Sequence, residues 1–158
     1  MVVIRKGGGD MIYSAMAVAN YIINRCYQYN NPISNLQLQK ILYFMWISYY
    51  KATGKTLFWD SICAWQFGPV VPEVYYEYCV YGGRPINIRC ETEISKADEP
   101  LLDAIIDDYI NIPVNVLVDM THRKNSAWDI VYQGGSGNRN VIPFDLIKRI
   151  ECGGEHVS

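Results

Sequence analysis

SNLQLQKILYFMWISYYKA, residues 34–52, is the stretch that decides the fold. Ser34 followed three places on by Gln37 is a capping box, in which the hydroxyl accepts from an orphan N–H of the first turn and the amide reaches back to the cap. A helix therefore begins here. Leu38, Ile41, Leu42, Met45 and Tyr49 recur at helical spacing, and Leu36, Tyr43, Ile47 and Tyr50 form a second stripe beside them. With Lys40 and Lys51 as its charges, such a rod has little surface left for water and must be wrapped by neighbours. Its apolar run, Ile41–Ile47, is far short of the roughly 18 residues a membrane span needs. Thr53 and Gly54 supply a left-handed stop.

Working outward, residues 12–28 place Ala15, Val18, Ala19, Ile22, Ile23 and Cys26 on one face of a helix that can lie against the central one. Leu57–Phe67 is aromatic and β-branched with alternation, which predicts a strand over about 58–67, broken by Gly68 and Pro69. Pro72 opens a helix carrying Val74, Tyr75 and Tyr78, stopped by Gly82 and Gly83. PINIRCE, 85–91, alternates strictly and predicts a second strand pairing with the first. Further helices are expected from Asp98 (Leu102, Ile105, Ile106, Tyr109 inward), after Pro113, from Ser126 with Asp129 as a second capping pair, and after Pro143. GGSGN, 134–138, reads as a flexible loop. The expected architecture is mainly α (α+β): a compact single-domain helical bundle around a buried central helix, with a small two- or three-stranded β-sheet. Its domain covers 12–151, between a flexible N-terminus (1–11) and a flexible tail (152–158).

The bulk composition narrows function. The chain has 158 residues, 50% hydrophobic and 19% charged, which suits one soluble domain with a real core. A net charge of −2 argues against a general nucleic-acid binder, since neutralising phosphates takes a basic face. Tyrosine, at 13 residues, is the outlier, and it suits surfaces wet on one side and buried on the other. Five cysteines (26, 63, 79, 90, 152) without a C-x-x-C fit neither a disulfide framework nor a zinc finger, and imply reduced thiols. No apolar h-region follows Arg5 and Lys6, so a cytoplasmic location is expected.

Catalytic patterns fail individually. Gly54-Lys55-Thr56 resembles the end of a phosphate loop, but Tyr49 stands where the motif wants glycine, and the helix precedes where it should follow. Around Ser136 the G-x-S-x-G pattern breaks at Asn138. A Cys/His hydrolase would need His122 with Cys63, Cys79 or Cys90, and no local signature selects one. His122 reads as a structural histidine at a helix end, and no metal ligands stand at suitable spacing from it. Between Glu91 and Asp108 seven acids face Lys96 alone, an acidic stretch that could steer a basic partner.

Three segments carry a resemblance: ISNLQLQKILYF at 33–44, AWQFGPVVPEVYYEY at 64–78 followed by YGG, and THRKNSAW at 121–128, with AVANYII at 17–23 ahead of them. In this order and spacing, from about Ser14 to Ile150, the chain resembles the Panacea domain family, which includes SocA-like proteins and phage-associated GepA proteins. The resemblance implies a bacterial or phage antitoxin that binds a cognate toxin protein directly. A SocA-like member would instead act as a proteolytic adaptor, handing its toxin to a AAA+ protease. Neither role involves catalysis, a cofactor, a membrane or direct nucleic-acid binding by this chain. The family motifs map to Leu38, Lys40, Tyr43, Gly68, Pro69, His122 and Trp128, as structural or partner-binding residues. Lys40 stands out, because a charge amid so much apolar surface needs a partner within the fold or on the toxin.

Overall fold

The structure is a computed structural model and describes residues 2–4 and 11–153. Helix α2, Asn35–Thr53, is the axis, and its ends are built as the sequence dictates. Ser34 Oγ accepts from Gln37 N at 3.2 Å, and Gln37 Oε1 accepts from Ser34 N at 3.0 Å. Gly54 closes the helix in the left-handed region at φ 73°, donating its N–H to the Tyr50 carbonyl. Twelve of its 19 residues are buried, and it touches α1 (Ala15–Gln28), α3 (Pro72–Tyr78), α4 (Glu99–Tyr109), α5 (Val114–Thr121) and α7 (Phe144–Glu151). The short α6 (Ala127–Tyr132) lies against α7. The fold is mainly helical, as expected. Among the described residues no helix is long and apolar enough to cross a membrane.

The strands depart from expectation in place. Val2–Ile4 (β1) pairs antiparallel with Met11–Tyr13 (β2), where a loose segment to residue 11 and a helix from residue 12 are expected; the helix starts instead at Ala15, and the expectation of looseness for 1, 5–10 and 154–158 lies outside the described residues. The strand expected over 58–67 shrinks to Cys63–Trp65 (β3), and its partner is Gly68–Val70 (β4). Asp60 explains the shortening: its carboxylate leaves the strand path to accept the Ala15 N–H at 2.9 Å, serving the start of α1. Gly68 and Pro69 therefore do not end a strand; they form one, and the turn into α3 falls at Val71 and Pro72.

Residues 85–91 are not a strand. Ile86 is fully buried while Asn87, Arg89 and Glu91 are exposed, so the alternation correctly reports sidedness. The backbone, however, finds isolated partners in place of a ladder: Ile86 N donates to the Ile33 carbonyl, and Cys90 N to Asn24 Oδ1. Alternation records which way side chains point and leaves the hydrogen-bond partner open.

The acidic stretch is also partly spoken for. Tyr13 and Tyr21 donate to Asp98 and Asp103, and Arg25 bridges Asp103 (3.4 Å) and Asp107 (2.9 Å), so one side of α4 is a polar seam against α1. The guanidinium holds Asp107 below the usual carboxylate range. Hydrogen bonding and charge thus absorb much of the face expected to be free for steering.

Candidate functional site

Lys40 lies at the junction of α2, β4 and α5, and none of its surface is exposed. Its Nζ donates to the Pro69 carbonyl at 2.8 Å, and among the described residues it has no carboxylate partner. Burial pushes the ammonium down to about 7 from its ordinary value, because a charge taken from water without a counter-charge is costly. Gly68 makes the approach feasible. At φ 116° it holds a backbone that side chains rarely adopt, and a Cβ there would lie 2.7 Å from both Lys40 Nζ and Thr121 Oγ1.

Beside Lys40, α2 presents two buried amides that no motif singled out. Gln39 Oε1 accepts from Val71 N at 2.9 Å, Gln39 Nε2 donates to Asn35 Oδ1 at 3.1 Å, and Asn35 Nδ2 donates to the Tyr75 carbonyl at 3.1 Å. Asn35, Gln39 and Lys40 together grip the backbone from Pro69 to Tyr75, and each satisfies a main-chain group that the short hairpin and α3 leave over. Polar residues within an otherwise apolar helix were the available signal: their spacing puts Asn35 and Gln39 one turn apart on one face.

The remaining motif residues gather around this brace or behind it. Leu38 is core. His122 caps the C-terminus of α5 and stacks on Trp128, with ring centroids 4.0 Å apart and planes 8° from parallel. Its Nε2 is buried without a hydrogen-bond partner among the described residues, and burial together with the Lys40 charge lowers its proton affinity. Trp128 donates from Nε1 to the Trp65 carbonyl at 2.8 Å, tying α6 to β3. Tyr43 OH is likewise buried and, among the described residues, unpaired, and burial raises its phenol. Of the thiols considered with His122, Cys63 and Cys90 are raised by burial, the opposite of an activated thiolate, and Cys79 is exposed with its Sγ on the Tyr76 carbonyl. All five cysteines are unpaired. Among the described residues no group of three or more His, Cys, Asp or Glu side chains could hold a metal ion.

On the outer side of the same brace lies a groove of about 390 Å³, lined by Leu36, Trp65, Phe67, Tyr75, Tyr76 and Arg139 over the amides of Asn35 and Gln39. Trp65 packs edge-on against Tyr75, with centroids 5.0 Å apart, and the Arg139 guanidinium covers its ring at 4.2 Å. Phe67 and Tyr76 remain 58% and 55% exposed at the rim. The hairpin turn pushes Phe67 outward, while Gln39 fixes the start of α3 and with it Tyr75 and Tyr76. Aromatic rings and an arginine on a concave, rigid support are the chemistry of a protein contact surface.

The chain is 29% identical over 137 residues to Antitoxin SocA of Caulobacter vibrioides (strain NA1000 / CB15N), an alignment covering 78% of this chain and 73% of that protein. No solved structure matches it. Residues 38–129 match the family described as Antitoxin SocA-like, Panacea domain, a span that contains Gln39, Lys40, the hairpin, His122 and Trp128, while Asn35 and Arg139 lie outside it. The chain belongs to the SocA-like Panacea domain family.

Proposed function

We propose that this protein is an antitoxin that neutralises a cognate toxin by direct protein–protein contact and performs no catalysis of its own. The observation that carries this reading is the open aromatic groove, supported from beneath by the buried amides of Asn35 and Gln39. The similarity to Antitoxin SocA supports the class of activity. The interior supports a non-catalytic role: His122 is occupied in stacking, and burial raises the Cys63 and Cys90 thiols, the opposite of activation. Five unpaired cysteines are consistent with action in the reducing cytoplasm.

Co-expression tests it. Each open reading frame adjacent to this gene is induced with and without the chain. One of them should arrest growth alone and cease to do so when the chain is present. If no neighbour is toxic and rescued, the antitoxin reading fails. Measuring the toxin's half-life in the rescued cells separates sequestration, which leaves it unchanged, from delivery to a AAA+ protease, which shortens it.

A further inference from the structure

We propose that the groove docks a segment of a partner protein that carries a carboxylate next to a large apolar side chain. Arg139 takes the carboxylate, and Trp65, Phe67 and Tyr76 take the apolar group. The inference rests on the protein-binding reading above and names the chemistry of the partner at that site.

Charge is the first reason. Among the residues lining the groove, Arg139 alone is charged, on a chain whose net charge is −2. Among the described residues its guanidinium meets no carboxylate; it lies over Trp65 and donates from Nη1 to Tyr76 OH at 3.2 Å. Guanidinium has five N–H donors in a planar fork that matches a carboxylate, so most of its capacity faces outward unused. The contact with the Trp65 ring and the bond to Tyr76 already restrain the guanidinium, which reduces the ordering cost on binding.

Backbone conformation is the second. Arg139 sits at φ 73°, in the left-handed region where glycine is at ease and a long side chain is not. Its N–H is tied to the Ala64 carbonyl at 2.6 Å, so β3 holds this conformation in place. An arginine kept in a strained backbone position and aimed across a groove is better explained by what it binds than by what it contributes to folding.

The third reason concerns how recognition occurs. The hairpin offers no free ladder for strand addition: on one side Ala64 N is bound to the Asn140 carbonyl, and on the other Val71 N is bound to Gln39. Recognition therefore falls to side chains. Phe67 and Tyr76, more than half exposed, are anchors of the kind that carry interface energy once water is excluded.

The test uses random heptapeptides displayed on phage and selected on the immobilised full-length protein, with the enriched peptides then synthesised and titrated by calorimetry. Enriched sequences should place Asp or Glu within two positions of an aromatic or large aliphatic residue. Their affinity should fall about tenfold with Arg139→Gln and with Phe67→Ala. Arg139→Gly should lose binding to the same degree while its melting temperature stays level or rises, because glycine relieves the backbone; a strong loss of stability would mark Arg139 as structural. Acid-free peptides, an empty selection, binding indifferent to both substitutions, or a self-association abolished by Phe67→Ala would each overturn the proposal. The co-expression result is separate. Rescue that survives both groove substitutions rejects the groove and keeps the antitoxin, whereas acidic peptides bound at the groove of a chain that rescues nothing reject the antitoxin and keep the groove.

Discussion

Replacing Lys40 by Met should make the protein more stable at neutral pH, and should remove a specific pH dependence. Lys40 is fully buried, its one hydrogen bond among the described residues goes to the neutral carbonyl of Pro69, and burial lowers its ammonium from 10.5 to about 7. That drop corresponds to a penalty on the order of 5 kcal/mol on the charged form. Below about 7 the amine is protonated in both folded and unfolded chains, so the folded state carries the whole penalty. Between about 7 and 10.5 the unfolded chain keeps a proton that the folded one has released, and stability rises with pH by up to about 1.4 kcal/mol per pH unit. Methionine fills similar space without charge but leaves the Pro69 carbonyl unpaired, at a cost of about 1–3 kcal/mol. The variant should therefore be about 3 kcal/mol more stable near pH 6–7, or about 6–12 °C in Tm, with the two stability curves meeting near pH 9. Urea unfolding of both proteins from pH 6 to 9.5 measures this. The buried tyrosines, and Cys26, whose thiol burial raises to about 12, titrate alike in both chains and cancel in the difference. His122, lowered by burial and by the Lys40 charge, adds stability as pH rises through the acidic side of neutrality, below the range from pH 7 to 9.5 over which the two curves are compared. Parallel curves from pH 7 to 9.5 would refute the reasoning, because they would mean the Lys40 charge is not desolvated in the fold.

Gly68→Ala should cost about 3–5 kcal/mol, since the new methyl meets Lys40 and Thr121 at 2.7 Å and the residue is forced to hold φ 116°; a urea midpoint unchanged from wild type would count against the brace as described. Tyr43→Phe removes a buried hydroxyl that has no partner, so stability should hold or rise by up to about 1 kcal/mol, and a loss of 2 or more in thermal unfolding would reveal a hidden partner. Ser34→Ala breaks the capping box and should lower stability by about 1 kcal/mol with rescue in co-expression intact. His122→Gln forfeits the stack on Trp128 but should retain rescue; abolished rescue with normal folding would reopen a chemical role for the imidazole.

Local chemistry was legible wherever a few neighbouring residues settle the matter. The Ser34–Gln37 box and Gly54 bound α2 within a residue of expectation, Pro72 opens α3, and Ser126 accepts from Asp129 N at the start of α6. The strand at 85–91 was misread because its alternation arises from lying across a helical surface, with Ile86 tied to Ile33 and Cys90 to Asn24. Gly68 and Pro69 looked like a break because the sequence does not announce that Lys40 will approach from another element and need a missing Cβ. Arg139 left no signal at all: its meaning comes from Trp65, Tyr76 and Ala64, which the hairpin brings to it from more than sixty positions away.

Hydrophobic periodicity and capping pairs, which act over one or two turns of chain, determined by themselves that a greasy helix at 35–53 would be the axis of a mainly helical domain. Only the tertiary structure decided that Lys40 would be sealed against a backbone carbonyl, that half the acidic helix would be spent on Arg25 and the tyrosines, and that an arginine would stand over an aromatic groove. These are partnerships between distant segments, and the free energy of a buried charge or a stacked ring depends on what the rest of the chain places within a few ångströms of it.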